Sequence, residues 1–103
     1  MRKWVEAAKV SDFAESDRTM VDLGGSLQIG VFRIDDTYYA ISAWCSHQKA
    51  TMMHGDLDGY ELMCPLHGAR FDIRNGAALS LPAVRGVDSY KVKVDGDTIF
   101  LKV

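Results

Sequence analysis

The sequence is poor in the features that mark small secreted domains and membrane segments. Among 103 residues there are two cysteines and three histidines, whereas small secreted domains usually rely on several disulfides. No apolar run approaches the ~20 residues that a membrane-spanning helix needs. Residues 1–6 lack the apolar stretch of a signal peptide. We therefore expect a cytoplasmic chain with no membrane partner.

Charge and composition exclude two further classes of protein. Twelve Lys and Arg against fourteen Asp and Glu give a net charge of −2. No cluster of Lys or Arg could follow a phosphate backbone, so no nucleic-acid partner is expected. With 48% hydrophobic and 10% aromatic residues, the chain is unlike a disordered segment. Its length predicts one domain with a small core.

Turn signals recur along the chain, and short segments rich in Val, Ile, Tyr and Phe separate them. Asp-Gly and Asn-Gly pairs tolerate the positive φ of tight hairpin turns. This pattern predicts an all-β domain built of hairpins. The signals are Gly24-Gly25, Asp35-Asp36, Asp58-Gly59, Asn75-Gly76 and Asp95-Gly96.

The predicted strands follow from these turns and from residue alternation. In residues 89–94 and 99–103, apolar positions mostly alternate with polar ones, which predicts a hairpin with one buried face. Residues 10–15 are expected to form a short helical turn, and residues 44–55 and 65–70 are expected to be loops. The other predicted strands are 3–8 (an edge strand), 19–23, 27–34, 38–41, 60–63 and 71–73.

Two short segments carry the residues with distinctive chemistry. Cys45-Ser46-His47 and Cys64-Pro65-Leu66-His67 each pair a thiol with an imidazole, and sixteen residues separate His47 from Cys64. Thiolate and imidazole are the usual ligands of zinc, copper and iron–sulfur centres. The pattern therefore predicts a metal site held by two loops. A zinc site, buried structural thiols or a single disulfide remain alternatives at this point.

The two segments resemble the Rieske [2Fe–2S] motif, in which two histidines replace two cysteines on one iron. The resemblance extends from Cys64 through Gly68-Ala69-Arg70-Phe71-Asp72 and, more loosely, over most of the chain. It implies that Cys45 and Cys64 hold an inner iron and that His47 and His67 hold an outer one. It also implies a Rieske-like antiparallel β-sandwich, with a small cluster-binding subdomain formed by two loops. The whole chain, 1–103, would be one domain, with a cluster-binding part at about 42–81 inserted in a basal part, 1–41 and 82–103.

The sequence departs from the Rieske proteins of respiratory complexes. It has no further cysteine for a loop disulfide, and Ala69 stands where a hydroxyl donor to sulfide would be expected. Fewer donors to sulfur stabilise the reduced cluster less. The chain thus looks like the low-potential ferredoxins that serve bacterial ring-hydroxylating oxygenases.

That resemblance implies an electron carrier rather than an enzyme. It would pass single electrons from an NAD(P)H-dependent flavoprotein reductase to a terminal Rieske oxygenase, as a monomer in transient complexes. A small subunit of a nitrite reductase or another redox complex is the alternative. A docking patch is expected at Pro65 and Leu66, with Trp44 as the alternative further member. His54 is expected at the surface without a ligand role, and core packing is expected for Trp44 and Met52.

Overall fold

The computed structural model describes residues 3–25, 27–44, 51–65, 68–80 and 85–103. Within these ranges the chain forms nine strands and one turn of 3-10 helix, Val10–Phe13. No helix there is long and apolar enough to cross a membrane. The strands are β1 Trp4–Lys9, β2 Arg18–Asp22, β3 Gln28–Ile34, β4 Thr37–Ser42, β5 Leu57–Asp58, β6 Glu61–Met63, β7 Arg70–Asp72, β8 Ser89–Asp95 and β9 Thr98–Lys102.

All strand pairs are antiparallel, and the strands form a large and a small sheet. The large sheet has six strands in the order β1-β9-β8-β4-β3-β2, and the small sheet has three in the order β5-β6-β7. The helical turn contacts both edge strands of the large sheet, β1 and β2. Its Phe13 is fully buried and meets the ring of Tyr38 edge-on at 5.1 Å. The large sheet is therefore strongly curled, and the prediction of an all-β antiparallel fold is confirmed.

Strands β3 and β4 are covered on both faces. Because neighbouring strand residues point to opposite faces, Val31 and Phe32 enter different cores, and so do Ala40 and Ile41. The large-sheet core lies inside the curl and comprises Ala8, Phe13, Val21, Ile29, Val31, Ala40, Ile99 and Leu101. The small-sheet core lies between the two sheets and comprises Phe32, Ile41, Met52, Leu62, Cys64, Ala69, Phe71 and Ile73.

Most predicted strands occur within a residue or two of their expected bounds. The C-terminal hairpin is confirmed, with Ile99 and Leu101 fully buried. Strand β5 was not predicted, because a two-residue strand has no readable period. Tyr60 lies in the turn before β6 rather than in the strand. All three strands of the small sheet fall within residues 42–81, and the proposed division of the chain there stays a prediction.

Candidate metal centre

Cys64 directly follows β6 and is the predicted ligand that the structure describes. It is a free thiol, 2% exposed, in the small-sheet core. Its backbone N–H donates to the carbonyl of Ala69 at 2.7 Å, and the N–H of Gly68 donates to the carbonyl of Cys64 at 3.0 Å. Gly68 has a φ of 73°, which a side chain would strain. Cys64 is thus hydrogen-bonded to Gly68 and Ala69, the described residues on the other side of His67.

The residues on either side of the first ligand segment lie next to each other in the structure. Trp44 and Thr51 form an isolated antiparallel bridge. Beside it, the N–H of Met52 donates to the carbonyl of Ala43 at 2.7 Å. Cys45 and His47, between these anchors, lie outside the described residues, and so does His67. That all four predicted ligands come together therefore stays a prediction.

The residues after the first segment pack against the second. Met52 is fully buried in the same core as Cys64, so its predicted packing role is confirmed. A Cβ on Gly55 would lie 1.9 Å from the carbonyl oxygen of Met63, the residue before Cys64. The N–H of Met63 donates to the carbonyl of Asp56 at 2.9 Å. The anchors of the two predicted ligand segments are therefore joined through residues 52–56.

Residues 79 and 80, which follow β7, are hydrogen-bonded to Arg70 at the end of the predicted Cys64 loop. The N–H of Leu79 donates to the carbonyl of Arg70 at 2.8 Å, and the N–H of Arg70 donates to the Ser80 hydroxyl at 3.0 Å. Ala69, before this pair, is fully buried. A hydroxyl at position 69 would therefore lie inside the protein, close in sequence to Cys64.

An ion pair fixes the end of the small sheet opposite to Cys64. Arg74 donates to both carboxylate oxygens of Asp72, at 3.0 and 2.8 Å, and stacks on Tyr60 with 4.2 Å from Cζ to the ring centroid. The hydrogen bond from Arg74 lowers the pKa of Asp72 against the opposing effect of burial. Beside this pair, burial and the nearby Tyr60 raise the pKa of Tyr39.

The prediction of core packing for Trp44 is wrong. Its side chain is 41% exposed, and its indole Nε1 donates to Oε1 of Gln28 at 2.8 Å. Gln28 in turn donates to Asp22 at 3.1 Å. The small-sheet core is formed by other residues, among them Met52 and Cys64, and the indole lies on the protein surface instead. His54 is exposed as expected.

The chemistry of the described residues fits an iron–sulfur cluster. The buried free thiol of Cys64 offers one sulfur ligand away from water, and iron–sulfur clusters are held by Cys thiolates and tuned by their exposure to solvent. Because Cys64 is free, the disulfide alternative loses its support. Among the described residues, no group of three or more His, Cys, Asp or Glu could hold a metal ion.

The model of the Rieske [2Fe–2S] domain matches residues 3–91. The chain belongs to the Rieske family. Its cofactor is accordingly a Rieske [2Fe–2S] cluster, and the zinc and structural-thiol alternatives are set aside. The matched range contains both predicted ligand segments.

The chain is similar to electron-transfer components over almost its whole length. It is 34% identical over 102 residues, 99% of this chain and 97% of the relative, to the ferredoxin component of the naphthalene 1,2-dioxygenase/salicylate 5-hydroxylase systems of Ralstonia sp. The ferredoxin of carbazole 1,9a-dioxygenase from Nocardioides aromaticivorans IC177 is 38% identical with a TM-score of 0.87, over 96% of each chain. These relatives confirm the prediction of an electron carrier that is not itself an enzyme.

Two further structures bear on possible partners. A chain of the complex of reduced oxygenase and oxidized ferredoxin in carbazole 1,9a-dioxygenase matches with a TM-score of 0.87 at 28% identity, over 95% of this chain and 91% of that one. A structure described as an NADH-dependent nitrite reductase small subunit from Mycobacterium tuberculosis has a TM-score of 0.81 at 23% identity, over 100% of this chain and 96% of that one. The second likeness shows a shared fold alone, so the nitrite reductase alternative has no further support.

Sequence reasoning missed two residues near the site, Arg18 and Gln28. Arg18 in β2 donates to backbone carbonyls at positions 53 and 55, and Gln28 orients the indole of Trp44. Both contacts join residues far apart in the chain. No local pattern in the sequence marks either one.

Proposed function

We propose that this Rieske protein is the ferredoxin component of a ring-hydroxylating oxygenase system. It accepts one electron at a time from an NAD(P)H-dependent flavoprotein reductase and passes it to the Rieske centre of a terminal oxygenase. The observation that carries the proposal is the end-to-end similarity to ferredoxin components of dioxygenase systems. The chain acts as a cytoplasmic monomer and forms transient complexes with both partners.

We assign the cluster ligands to Cys45, Cys64, His47 and His67. The two thiolates hold the inner iron and the two imidazoles hold the outer iron. The burial of Cys64 supports its assignment to the inner iron, since a thiolate in the core places its metal away from water. As ligands of the outer iron, His47 and His67 would give the electron a short path from the cluster to a partner.

Trp44 belongs to the docking face together with Pro65 and Leu66. Pro65, directly after the buried Cys64, is exposed. Trp44 directly precedes Cys45, and its indole is exposed and held in one orientation by Gln28. Exposed tryptophans are frequent energetic centres of protein interfaces. A side chain oriented before binding loses less conformational entropy in the complex.

Chemical analysis and ligand substitution test the cluster assignment. The purified protein should contain about two iron and two sulfide per chain, as a [2Fe–2S] centre requires. Cys45→Ser and Cys64→Ser should abolish the cluster. His54→Ala, which changes an exposed histidine outside the ligand set, is the control and should leave the visible spectrum unchanged. Zinc, or iron without inorganic sulfide, would contradict the assignment.

Single-tryptophan variants test the docking face, because the chain has two tryptophans. Trp44 is 41% exposed beside the ligand loop, and Trp4 is 38% exposed on edge strand β1. In Trp4→Phe the remaining indole should change its emission when a terminal oxygenase of the naphthalene type is added. In Trp44→Phe the signal of Trp4 should stay constant. The reverse result would place the docking face on the large sheet.

A further inference from the structure

The guanidinium of Arg18 contacts the chain that follows the first ligand segment. Its Nη1 donates to the carbonyl oxygen of Met53 at 3.2 Å and also to that of Gly55. The Arg18 side chain is 18% exposed, so most of it is withdrawn from water. One planar group from β2 thus bonds two carbonyls 35 and 37 residues further along the chain.

Two neighbours fix the plane of this guanidinium. Nε donates to Oδ1 of Asp17 at 2.8 Å, with a longer contact of 3.5 Å from Nη2 to Oδ2. On one face, Cζ lies 5.4 Å from the ring centroid of the buried Phe32. A carboxylate that accepts from two nitrogens and an aromatic face both restrict the orientation of an arginine. Nη1 is therefore held toward the two carbonyls rather than free to sample solvent.

The segment that Arg18 holds joins the two ligand segments. At its start, the N–H of Met52 donates to the carbonyl of Ala43 at 2.7 Å, two residues before Cys45. At its end, Gly55 packs so closely on Met63 that a Cβ would lie 1.9 Å from the Met63 carbonyl oxygen. The turn also closes on itself, because the N–H of Gly55 donates to the carbonyl of Met52 at 3.0 Å.

Small residues let this segment reach the large sheet. A Cβ on Gly30 of β3 would lie 2.8 Å from Sδ of Met53, which is closer than real side chains approach. The missing side chain at position 30 therefore leaves room for Met53 on the sheet. Arg18, on the neighbouring strand β2, bonds the carbonyl of the same Met53. Two contacts with the large sheet thus set the position of residues 53–55. Met53 packs against Gly30, and Arg18 donates hydrogen bonds to the carbonyls of Met53 and Gly55.

We infer that Arg18 is a positioning residue for the [2Fe–2S] cluster. It fixes residues 53–55 against Met63, and through them it sets the spacing between the Cys45 and Cys64 segments. The inference rests on the proposed ligand assignment. Lysine at this position keeps the charge, but its single ammonium nitrogen cannot bond Asp17 and the two carbonyls through separate nitrogens, as the planar guanidinium does. Glutamine removes the charge as well.

Four variants test this role. Arg18→Lys and Arg18→Gln should release the cluster about tenfold faster than wild type in the presence of an iron chelator, because each loses a charge-assisted hydrogen bond. Both should also shift or broaden the EPR signal of the reduced cluster. Arg33→Lys and Arg33→Gln, on the neighbouring strand β3, are the matched controls and should keep wild-type rates and signals.

The readouts separate a positioning role from general stabilisation. If both Arg18 variants melt at lower temperature but keep the wild-type cluster lifetime and EPR signal, the inference is wrong. Should Arg18→Gln fail to fold, the result for Arg18→Lys decides. A wild-type protein without a [2Fe–2S] cluster would instead refute the proposed function. An intact wild-type cluster with unaffected Arg18 variants would refute this inference alone.

Discussion

Truncating one leucine in each core should separate loss of fold from loss of cluster. Leu62 in β6 and Leu101 in β9 are both fully buried at the centre of a three-strand arrangement. Leu62 lies in the small-sheet core with Cys64, and Leu101 lies in the large-sheet core. Because the two side chains are equal in size and burial, Leu62→Ala and Leu101→Ala remove similar packing. Only Leu62→Ala does so beside a predicted cluster ligand.

The expected size of the effect follows from complete burial. A buried Leu→Ala change typically lowers the free energy of unfolding by about 2–5 kcal/mol, through lost apolar transfer and a residual cavity. For a domain of this length, each kcal/mol lowers the Tm by roughly 4–8 °C. A loss of about 3 kcal/mol should therefore lower the Tm by roughly 12–24 °C. Since domains of this kind are stable by about 5–15 kcal/mol, both variants should still fold at 25 °C.

The assay follows two signals during one thermal scan of each variant. Far-ultraviolet circular dichroism reports the strands, and visible absorbance reports the cluster. In Leu101→Ala the two midpoints should move down together, with the spacing seen in wild type. In Leu62→Ala the visible signal should be lost at a temperature further below the dichroism midpoint, because Cys64 loses a packing neighbour first. If both variants show the same spacing, the small-sheet core has no special role in holding the cluster.

Three further changes give distinct outcomes. Ala69→Ser places a hydroxyl at a buried position. If that hydroxyl donates to sulfide, the reduction potential should rise within the ≈ −150 to +300 mV span of Rieske centres. Protein-film voltammetry measures the potential, and an unchanged value would show that the hydroxyl does not donate to sulfide. Gly55→Ala should lower cluster content strongly, since its Cβ would meet the carbonyl of Met63 at 1.9 Å, and iron analysis measures this. Arg74 lowers the pKa of Asp72 below 3.8, so Asp72 stabilises the fold when ionised. The Tm difference between wild type and Asp72→Asn should therefore be constant above pH 5 and narrow as the pH falls through about 4 and below; a difference independent of pH would contradict this role.

Much of the fold could be predicted from local patterns. The strands β8 and β9 stand out because apolar and polar residues alternate on either side of Asp95-Gly96, and Ile99 and Leu101 are buried as that alternation requires. The hairpin of β3 and β4 follows from the turn at Asp35-Asp36. The two Cys/His pairs, Cys45 with His47 and Cys64 with His67, and the residues after the second pair were sufficient to indicate the family and hence the cofactor.

The sequence by itself determined which segments are strands, where the chain turns and which side chains have metal-binding chemistry, because these depend on neighbours a few residues away. Only the tertiary structure decided that β3 and β4 are covered on both faces. It also decided that Trp44 is exposed and hydrogen-bonded to Gln28. The contact of Arg18 with the carbonyls of Met53 and Gly55 was likewise decided only there. Those outcomes depend on which distant segment packs over a given face of the sheet. The residues next to a side chain in the sequence do not determine that packing.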